Sequence, residues 1–306
     1  MGGVYADLHR HLDGSLRERT VVELAEQLGI AVPTALRFHA GMGLDEALSK
    51  FAFTLSLLQR PEAVERIAKE ICEDAIAEGV STLEIRFAPQ LHLQQGSRVE
   101  EIIDAALSGV AGRAGLILCG LYGEPVSQLL ALVEAASKRP GVVALDLAGG
   151  PAPFHSVRLA DYAPAFSRAR ELGLGRTVHA SEGRPPEEIR VAIESLHAQR
   201  IGHGTTLLED PRVVELVLER GVTIEACPTS NVHVGAIARV EDHPLPRWLE
   251  RGIKCCINTD NTLLSAVDAG EEHRRVAAIP GMTDALLQRA IANGHAAKFA
   301  EDPLNS

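Results

Sequence analysis

Four side chains of types that bind transition metals stand where they could converge on one point. His9 and His11 lie two residues apart near the start of the chain. Because alternate side chains of an extended strand share one face, this spacing aims both imidazoles in one direction. His179 and Asp260 each follow a short apolar run that is typical of a buried strand. Three histidines and one aspartate form a ligand set that suits zinc, so the pattern predicts a metal site.

Two further polar residues complete the candidate chemistry. Glu182 comes three residues after His179, and a carboxylic acid near the metal could protonate a leaving group. The alternative for Glu182 is a carboxylate that caps a helix or faces solvent. His203 lies between two glycines, which let the backbone turn sharply. It could orient and deprotonate an attacking water; the alternatives are a further metal ligand or a core histidine. Because bound zinc lowers the pKa of water towards ~7, the set predicts a zinc-dependent hydrolase.

Eight short apolar runs are typical of buried strands, and helical patterns separate most of them. Strands that alternate with helices pair in parallel, so eight such units predict a closed (β/α)8 TIM barrel of the α/β class. The predicted strands are Tyr5 to His11, Thr82 to Ala88, Leu116 to Leu121, Val142 to Ala148, Arg176 to Ala180, Arg200 to Gly202, Thr223 to Cys227 and Lys254 to Thr259. The predicted helices include Ala63 to Ala77, Ser127 to Ser137, Glu187 to His197 and Arg212 to Glu219.

The barrel accounts for the positions of the candidate residues. Catalytic residues of such barrels lie at the carboxyl ends of the strands, and the predicted first, fifth, sixth and eighth strands carry them there. The alternative is an open doubly wound sheet, which predicts a glycine-rich phosphate loop after the first strand. In this chain Leu12-Asp13-Gly14 follows the first strand, which argues against that alternative. The stretch from Gly29 to Lys50 interrupts the pattern. It is either a lid over the barrel mouth or an ordinary surface excursion.

Length and charge narrow the possible functions. The chain has 306 residues, of which 46% are hydrophobic, and its formal net charge is −11. The length is normal for one barrel, so we expect a single domain over residues 1–306. The acidity argues against nucleic acid or an anionic membrane surface as the main partner. No apolar run approaches the ~20 residues of a transmembrane helix.

The cysteines and the remaining histidines show no pattern of their own. The five cysteines form no CxxC pair and lie in apolar runs, which predicts buried reduced thiols. The first residues lack the basic and apolar segments of a secretory signal, so we expect a cytoplasmic protein. Eight further histidines have no ligand-like spacing. We expect most of them on the surface or on helices.

Seven motifs, spread over essentially the full length, resemble the adenosine deaminase family of the amidohydrolase superfamily. They are HRHLDGS at 9–15, LEIRFAP at 83–89, LDLAG at 145–149, TVHASE at 177–182, IGHGT at 201–205, CPTSN at 227–231 and NTDN at 258–261. Together they are highly specific, whereas any one alone would be a modest signal. The resemblance implies a TIM barrel that removes the amino group of a 6-aminopurine by hydrolysis and holds one zinc ion per chain.

The resemblance also implies a role for each matching residue. It implies that Glu182 protonates the purine ring at N1 and that His203 assists the attacking water. The backbone at Gly149 would meet N3 of the purine, and Asp13 would reach the ribose 5′-hydroxyl. The zinc ligands that it implies are His9, His11, His179 and Asp260.

The chain departs from the family pattern in three places. The second Asp of the family's TDD motif, which contacts purine N7, is Asn261 here. An asparagine carries an NH₂ donor at any pH, whereas an aspartate must be protonated to donate. The acidic residues that usually follow LAG are replaced by residues 150–153, Gly-Pro-Ala-Pro, and the glycine of HAGE is Ser181. With Asn261 the contact to N7 can survive, but it leaves the substrate preference open. The change at residues 150–153 leaves the specificity for the sugar open.

Several functions remain open on the sequence. The leading one is deamination of adenosine or 2′-deoxyadenosine, with adenine, 6-aminodeoxyfutalosine and N6-substituted or phosphorylated adenosines as alternatives. Asp13 favours a nucleoside over a free base and disfavours a 5′-phosphate by charge repulsion. A different amidohydrolase with two bridged metals would need a lysine on the fourth strand, and Val142 to Ala148 contains none. A binding protein on an enzyme scaffold would have lost a ligand or Glu182. The cytidine-deaminase type is excluded because the chain has no PCxxC motif.

Overall fold

Eight parallel strands form one sheet in which each strand pairs with the next along the chain. The structure, a computed structural model, describes residues 4–299. The strands are β1 Tyr5–His11, β2 Val80–Phe87, β3 Gly115–Leu121, β4 Val142–Ala148, β5 Gly175–Ala180, β6 Arg200–His203, β7 Thr223–Ala226 and β8 Lys254–Ile257.

The sheet returns to β1 just beyond the end of β8. Arg10 and Asp260 form an isolated parallel bridge. The Asp260 amide donates to the His9 carbonyl at 2.8 Å, and the His11 amide donates to the Asp260 carbonyl at 2.7 Å. Backbone bonds therefore hold a predicted ligand of the eighth strand against two predicted ligands of the first. The predicted (β/α)8 barrel is confirmed.

Helices surround the sheet and occupy most of the connections between strands. They are α1 Glu18–Leu28, α2 Leu44–Leu57, α3 Pro61–Ala77, α4 Val99–Val110, α5 Val126–Ala136, α6 Ala163–Glu171, α7 Glu187–Glu194, α8 Pro211–Arg220, α9 Pro228–His233, α10 Leu245–Glu250, α11 Ala269–Ala277 and α12 Asp284–Ala297. The predicted elements agree with these to within one to three residues. The largest difference is α7, which is predicted to reach His197 but ends at Glu194; beyond it the Leu196 and Ala198 amides donate to the Val191 and Ala192 carbonyls, so the i to i−4 pattern of the α-helix is lost.

The core lies between the sheet and the helices. Every residue of β4 is buried, as expected for a parallel strand covered on both faces. Trp248 of α10 and Phe166 of α6 are fully buried. The five cysteines are free and buried, as the sequence predicts. Within residues 4–299, no helix is long and apolar enough to cross a membrane.

The stretch from Gly29 to Lys50 lies over the barrel mouth. Residues 29–43 have no regular helix or strand, and α2 begins at Leu44. Backbone amides attach the stretch to the loops after β7 and β8: Phe38 donates to the Leu264 carbonyl at 2.6 Å, and Met42 donates to the His233 carbonyl at 2.9 Å. Of the two alternatives that the sequence left open, the structure shows the cover over the mouth.

Candidate active site

The four predicted ligands meet at the carboxyl end of the barrel. The Nε2 atoms of His11 and His179 are 3.2 Å apart. Asp260 Oδ1 lies 3.5 Å from His9 Nε2 and 3.4 Å from His11 Nε2. The ring nitrogens of the three histidines all lie within 4.8 Å of one another. Ring nitrogens and a carboxylate oxygen at these separations surround one point, as the ligands of a single ion do.

Acidic residues behind the histidines fix which ring nitrogen faces the centre. His9 Nδ1 lies 2.7 Å from Glu225 Oε2, and His179 Nδ1 lies 3.1 Å from Asp146 Oδ2. Each carboxylate accepts a hydrogen bond from Nδ1–H and leaves Nε2 with its lone pair, the arrangement that usually supports a metal-binding histidine. His9 Nε2 is buried and has no hydrogen-bond partner among the described residues. These donors fit a cation such as zinc.

The ionisation of these groups agrees with that fit. Burial lowers the pKa of His11 well below its ordinary value and lowers the pKa of His179 too, so both rings are neutral and can coordinate. Burial lowers the pKa of His9 as well, but the negatively charged carboxylates of Asp260 and Glu225 beside the ring outweigh burial and raise that pKa. The surroundings of His9 therefore favour a positive charge, which a metal ion would supply.

A cysteine lies close enough to compete for the same ion. Cys227 Sγ lies within 4.8 Å of ligand atoms of His9 and Asp260. Burial, and then the negative charge of Asp260, raises the pKa of the Cys227 thiol well above its ordinary value. A metal is bound by the thiolate, so a protonated thiol is the poorer donor. The three histidines and Asp260 remain the preferred set.

Buried ion pairs support the carboxylates from below. Glu225 Oε2 accepts a hydrogen bond from Arg86 Nη2 at 2.8 Å, and its Oε1 lies 2.7 Å from Arg200 Nε. Arg86 Nη1 also donates to Asp146 Oδ2 at 3.0 Å. Burial alone would raise the pKa of Glu225, but the two guanidinium groups outweigh it and hold that pKa well below its ordinary value. Both carboxylates that orient the histidines are thus kept ionised.

Unusual backbone conformations aim the residues at the strand ends. Ser181, His203 and Asp260 have φ values of 58°, 70° and 62°. Left-handed conformations are uncommon outside glycine and cluster at functional sites, where the surrounding structure holds them in place. Ser181 directly follows β5, and its amide donates to Glu188 at 2.7 Å. The turn at Ser181 carries Glu182 into the mouth.

Glu182 and His203 lie beside the cluster and share one neighbour. Glu182 Oε1 is 3.4 Å from His203 Nδ1, and Asn231 Nδ2 donates to both, at 2.8 Å and 3.1 Å. Burial, and then the charge of Asp260, raises the pKa of Glu182 to about 7. Burial lowers the pKa of His203 well below its ordinary value. Near neutral pH a large share of the Glu182 carboxyl groups therefore still carry a proton, beside a neutral imidazole.

A cavity of about 350 Å³ opens in front of these residues. His11, His179, Glu182, His203 and Asp260 all line it. Its outer wall is apolar and comes from the segment over the mouth and the rest of α2, namely Phe38, Leu44, Ala47, Leu48, Phe51 and Leu55. A pocket of this size with a few convergent polar groups suits a small organic substrate.

The three predicted substrate contacts also line this cavity. Asp13 Oδ1 is buried without a hydrogen-bond partner among residues 4–299, and burial raises the pKa of Asp13 to about 7. Gly149 has a φ of 78°, and a Cβ there would meet nothing within 4 Å, so its backbone is open to close approach. A Cβ on Gly14 would stand 1.9 Å from Asn261 Oδ1. The side-chain oxygen of Asn261 thus lies against Gly14, and the donor atom Nδ2 lies on the other side of the amide group, away from Gly14.

Sequence reasoning missed the residues that hold the site together. These residues are Arg86, Asp146, Glu225 and Asn231. All four are fully buried; Asp146, Glu225 and Asn231 contact predicted ligands or catalytic residues, and Arg86 holds the two carboxylates. A signal was present, because charged residues in the middle of apolar strand runs are rarely buried without a partner. Three of the four also lie in motifs of the family resemblance, LEIRFAP, LDLAG and CPTSN.

The expectation that most of the eight other histidines lie on the surface or on helices is confirmed: one is exposed, three lie on α-helices and one on a 3-10 helix, namely His39, His233, His273, His295 and His92. His92 and His243 lie outside the α-helices and are buried, with hydrogen bonds to the Leu58 carbonyl and the Leu245 amide. His155 lines the cavity. Burial lowers the pKa of His92 to about 4 and that of His243 to about 3, so both are neutral members of the core.

A parallel barrel with a three-histidine, one-aspartate cluster at the carboxyl ends of its strands defines an amidohydrolase. The family described as adenosine deaminase matches residues 5–305. The chain belongs to the adenosine deaminase family, whose members are hydrolytic deaminases. The sequence predictions of the family and of the enzyme class are confirmed.

Relatives and solved structures of this family cover nearly the whole chain. An adenosine deaminase of Clostridium kluyveri is 35% identical over 96% of this chain and 89% of its own length. The crystal structure of an adenine deaminase from Arthrobacter aurescens superposes with a TM-score of 0.88 at 25% identity, covering 99% of this chain and 96% of that one. An N6-mAMP deaminase of Arabidopsis has a TM-score of 0.86 at 23% identity, covering 98% and 95%, which shows the shared fold.

Proposed function

We propose that this protein deaminates adenosine and 2′-deoxyadenosine by hydrolysis, producing inosine or 2′-deoxyinosine and ammonia. The carrying observation is that Glu182, His203 and three of the four predicted ligands line one cavity of substrate size, with the fourth, His9, buried directly behind them. Membership of the adenosine deaminase family supports the same chemistry. The free thiols of the five buried cysteines further support a reducing compartment such as the cytoplasm.

His9, His11, His179 and Asp260 would hold one zinc ion. When bound, zinc supplies a Lewis acid that makes water nucleophilic at neutral pH. Glu182, whose pKa is raised to about 7, holds a proton near the ring nitrogen N1 and delivers it as C6 is attacked. His203 orients the attacking water through its imidazole. Delivery of the proton to N1 lowers the barrier, because it removes the negative charge that would build up on the ring.

The remaining cavity residues position the purine and its sugar. The backbone at Gly149 would meet N3, and Asn261 Nδ2 would donate to N7. Asp13 Oδ1, buried and without a partner among the described residues, would pair with the ribose 5′-hydroxyl. Buried polar groups without partners cost free energy, so a ligand that pairs with them binds more tightly than one that does not.

The charge of the cavity favours an uncharged nucleoside over a nucleotide. No lysine or arginine is among the described residues that line the cavity. Asp13 would repel a 5′-phosphate whenever it is ionised. Residues 150–153, which follow the strand that ends at Ala148, carry no charge either. A phosphate would therefore lose its hydration without a cationic side chain in the cavity lining, although the Arg184 guanidinium lies beside Gly150, with Nη1 3.0 Å from where a Cβ on that glycine would stand.

A panel of 6-aminopurines tests the proposal. Zinc-loaded protein should release ammonia fastest from adenosine and 2′-deoxyadenosine, and more slowly from adenine, 6-aminodeoxyfutalosine and N6-methyl-AMP. The measured quantity is kcat/KM for each compound. If kcat/KM were higher for adenine or for a nucleotide, that compound would replace adenosine as the proposed substrate. If no compound of the panel released ammonia, the assignment as a deaminase would be refuted.

The same panel measured on the Asn261→Asp variant tests the contact to N7. At neutral pH the new carboxyl group must hold a proton to donate, which costs free energy unless burial maintains it. For a site built for adenosine, the variant should keep or raise activity on adenosine. A 7-deaza analogue lacks the N7 acceptor, so it should respond to the substitution less than adenosine does. Equal responses of the two substrates would show that Asn261 does not contact N7.

Metal analysis tests the ligand set independently of turnover. The purified protein should carry about one divalent ion per chain, most readily zinc, and a strong chelator should abolish activity until zinc is restored. His11→Ala should lose the ion. The matched variant His39→Ala, at an exposed histidine outside the cavity, should keep it. Two tightly held ions per chain, or an active protein with none, would contradict the single site.

A further inference from the structure

Asn231 lies between the two groups to which the proposed function assigns catalysis. It belongs to α9, directly after β7, and is fully buried. Its backbone N–H donates to the Cys227 carbonyl at 2.9 Å, and its backbone carbonyl accepts from the Ile237 N–H at 3.1 Å. Hydrogen bonds therefore hold both the backbone N–H and the backbone carbonyl of Asn231, which restricts the direction of its side chain.

The side-chain nitrogen of Asn231 donates in two directions. Nδ2 lies 2.8 Å from Glu182 Oε1 and 3.1 Å from His203 Nδ1. An asparagine NH₂ group has two protons, so one serves each acceptor. The opposite atom, Oδ1, is buried without a hydrogen-bond partner among residues 4–299. Reversing the amide would place Oδ1 against both acceptors, and it would then require a proton on each of them.

We propose that Asn231 is a positioning residue that decides where the protons of Glu182 and His203 reside. This inference rests on the proposed function. With Oε1 accepting from Asn231, the transferable proton of Glu182 is on Oε2. With Nδ1 accepting, the neutral ring of His203 carries its proton on Nε2. His203 then orients the attacking water as an N–H donor, not through a lone pair.

Asn231→Asp is the sharpest test because it changes the donor and almost no volume. The substituted carboxylate can only accept, so it draws the Glu182 proton to Oε1 and favours the Nδ1–H form of His203. We expect kcat on adenosine to fall about 10- to 100-fold, in the range found when hydrogen-bond supports of active-site groups are removed. KM and zinc content should stay within about twofold. Asn293→Asp is the matched control, since Asn293 of α12 also donates through Nδ2, to the Cys255 carbonyl of β8 and away from the cavity; its kcat should not change.

A double-mutant cycle separates positioning from general damage. In the Glu182→Gln background the Oε2 proton is absent, so Asn231→Asp should cost much less than in the wild-type chain. Asn231→Ala removes the donor without adding a charge, and it replaces Asn231→Asp in the cycle if the aspartate variant does not fold. Full additivity in the cycle would overturn the proposal. So would a wild-type kcat in either folded variant, provided that the parent protein deaminates adenosine. A parent without deaminase activity would instead refute the proposed function.

The tautomer of His203 provides a readout that does not depend on turnover. In ¹⁵N-histidine-labelled protein, with the His203 signal assigned by its loss in His203→Ala, the ¹⁵N shifts should show a protonated Nε2 and an unprotonated Nδ1. Asn231→Asp should move the proton towards Nδ1, whereas Asn293→Asp should leave the spectrum unchanged. A protonated Nδ1 in the wild-type protein would show that the amide is reversed, and would overturn the assignment of Asn231 as donor.

Discussion

Glu182→Gln should retain zinc and lose most turnover. Glutamine has nearly the same shape as glutamate and can still accept from Asn231 Nδ2, but its amide cannot deliver a proton to the purine ring. General acid–base groups contribute ~10²–10⁴-fold to rates, so kcat should fall by a factor in that range. KM for adenosine should change little, because the lost interaction belongs to the transition state. Steady-state kinetics and metal analysis of the same preparation provide the measurement.

The control for this substitution is a glutamate five residues further along the chain, on the helix that follows. Glu187 is exposed on α7 and pairs with Arg190, so Glu187→Gln should show wild-type kcat and zinc content. If Glu182→Gln retained more than about a tenth of the wild-type rate, a proton from another source would have to reach the ring. If it lost zinc, Glu182 would have a role in holding the ion.

The convergence of the four predicted ligands could be predicted because it depends on rules that act locally and on a topology that repeats. An HxH pair on a strand shares a face whatever the rest of the chain does. The carboxyl ends of eight parallel strands meet at one mouth once the sheet closes. His179 and Asp260 then reach His9 and His11, although no short-range pattern connects them. The prediction needed strand ends located only to within a few residues.

The supporting residues were not predictable from spacing because their partners are distant and specific. Glu225 is 216 residues from His9, and Asn231 is 49 residues from Glu182. A carboxylate can lie behind a given histidine only if the register of the strands brings the two side chains together across the barrel. The sequence alone does not give that register. The position of the segment over the mouth could not be predicted for the same reason, since the Phe38 amide donates to the distant carbonyl of Leu264. Such contacts follow from packing in three dimensions.

His203→Ala should leave the fold and the zinc largely intact and reduce kcat by orders of magnitude. The His203 ring lies 4.9 Å from the His9 ring and 5.1 Å from the His179 ring, measured between centroids. It therefore adjoins the cluster, while its Nδ1 is occupied by Asn231 Nδ2 at 3.1 Å. Loss of the ring removes the group that orients the water, an effect of ~10²–10⁴-fold for a positioned acid–base group.

The backbone at His203 requires a second variant, because its φ of 70° is left-handed and a change of residue there alters strain as well as chemistry. Asparagine tolerates this conformation better than alanine, so His203→Asn should unfold at a higher temperature than His203→Ala. Both variants should nevertheless be equally slow if the imidazole itself is needed. Recovery of activity in His203→Asn would mean that backbone strain caused the loss. Loss of zinc in both variants would make His203 a ligand, since the three other histidines and Asp260 should hold the ion without it.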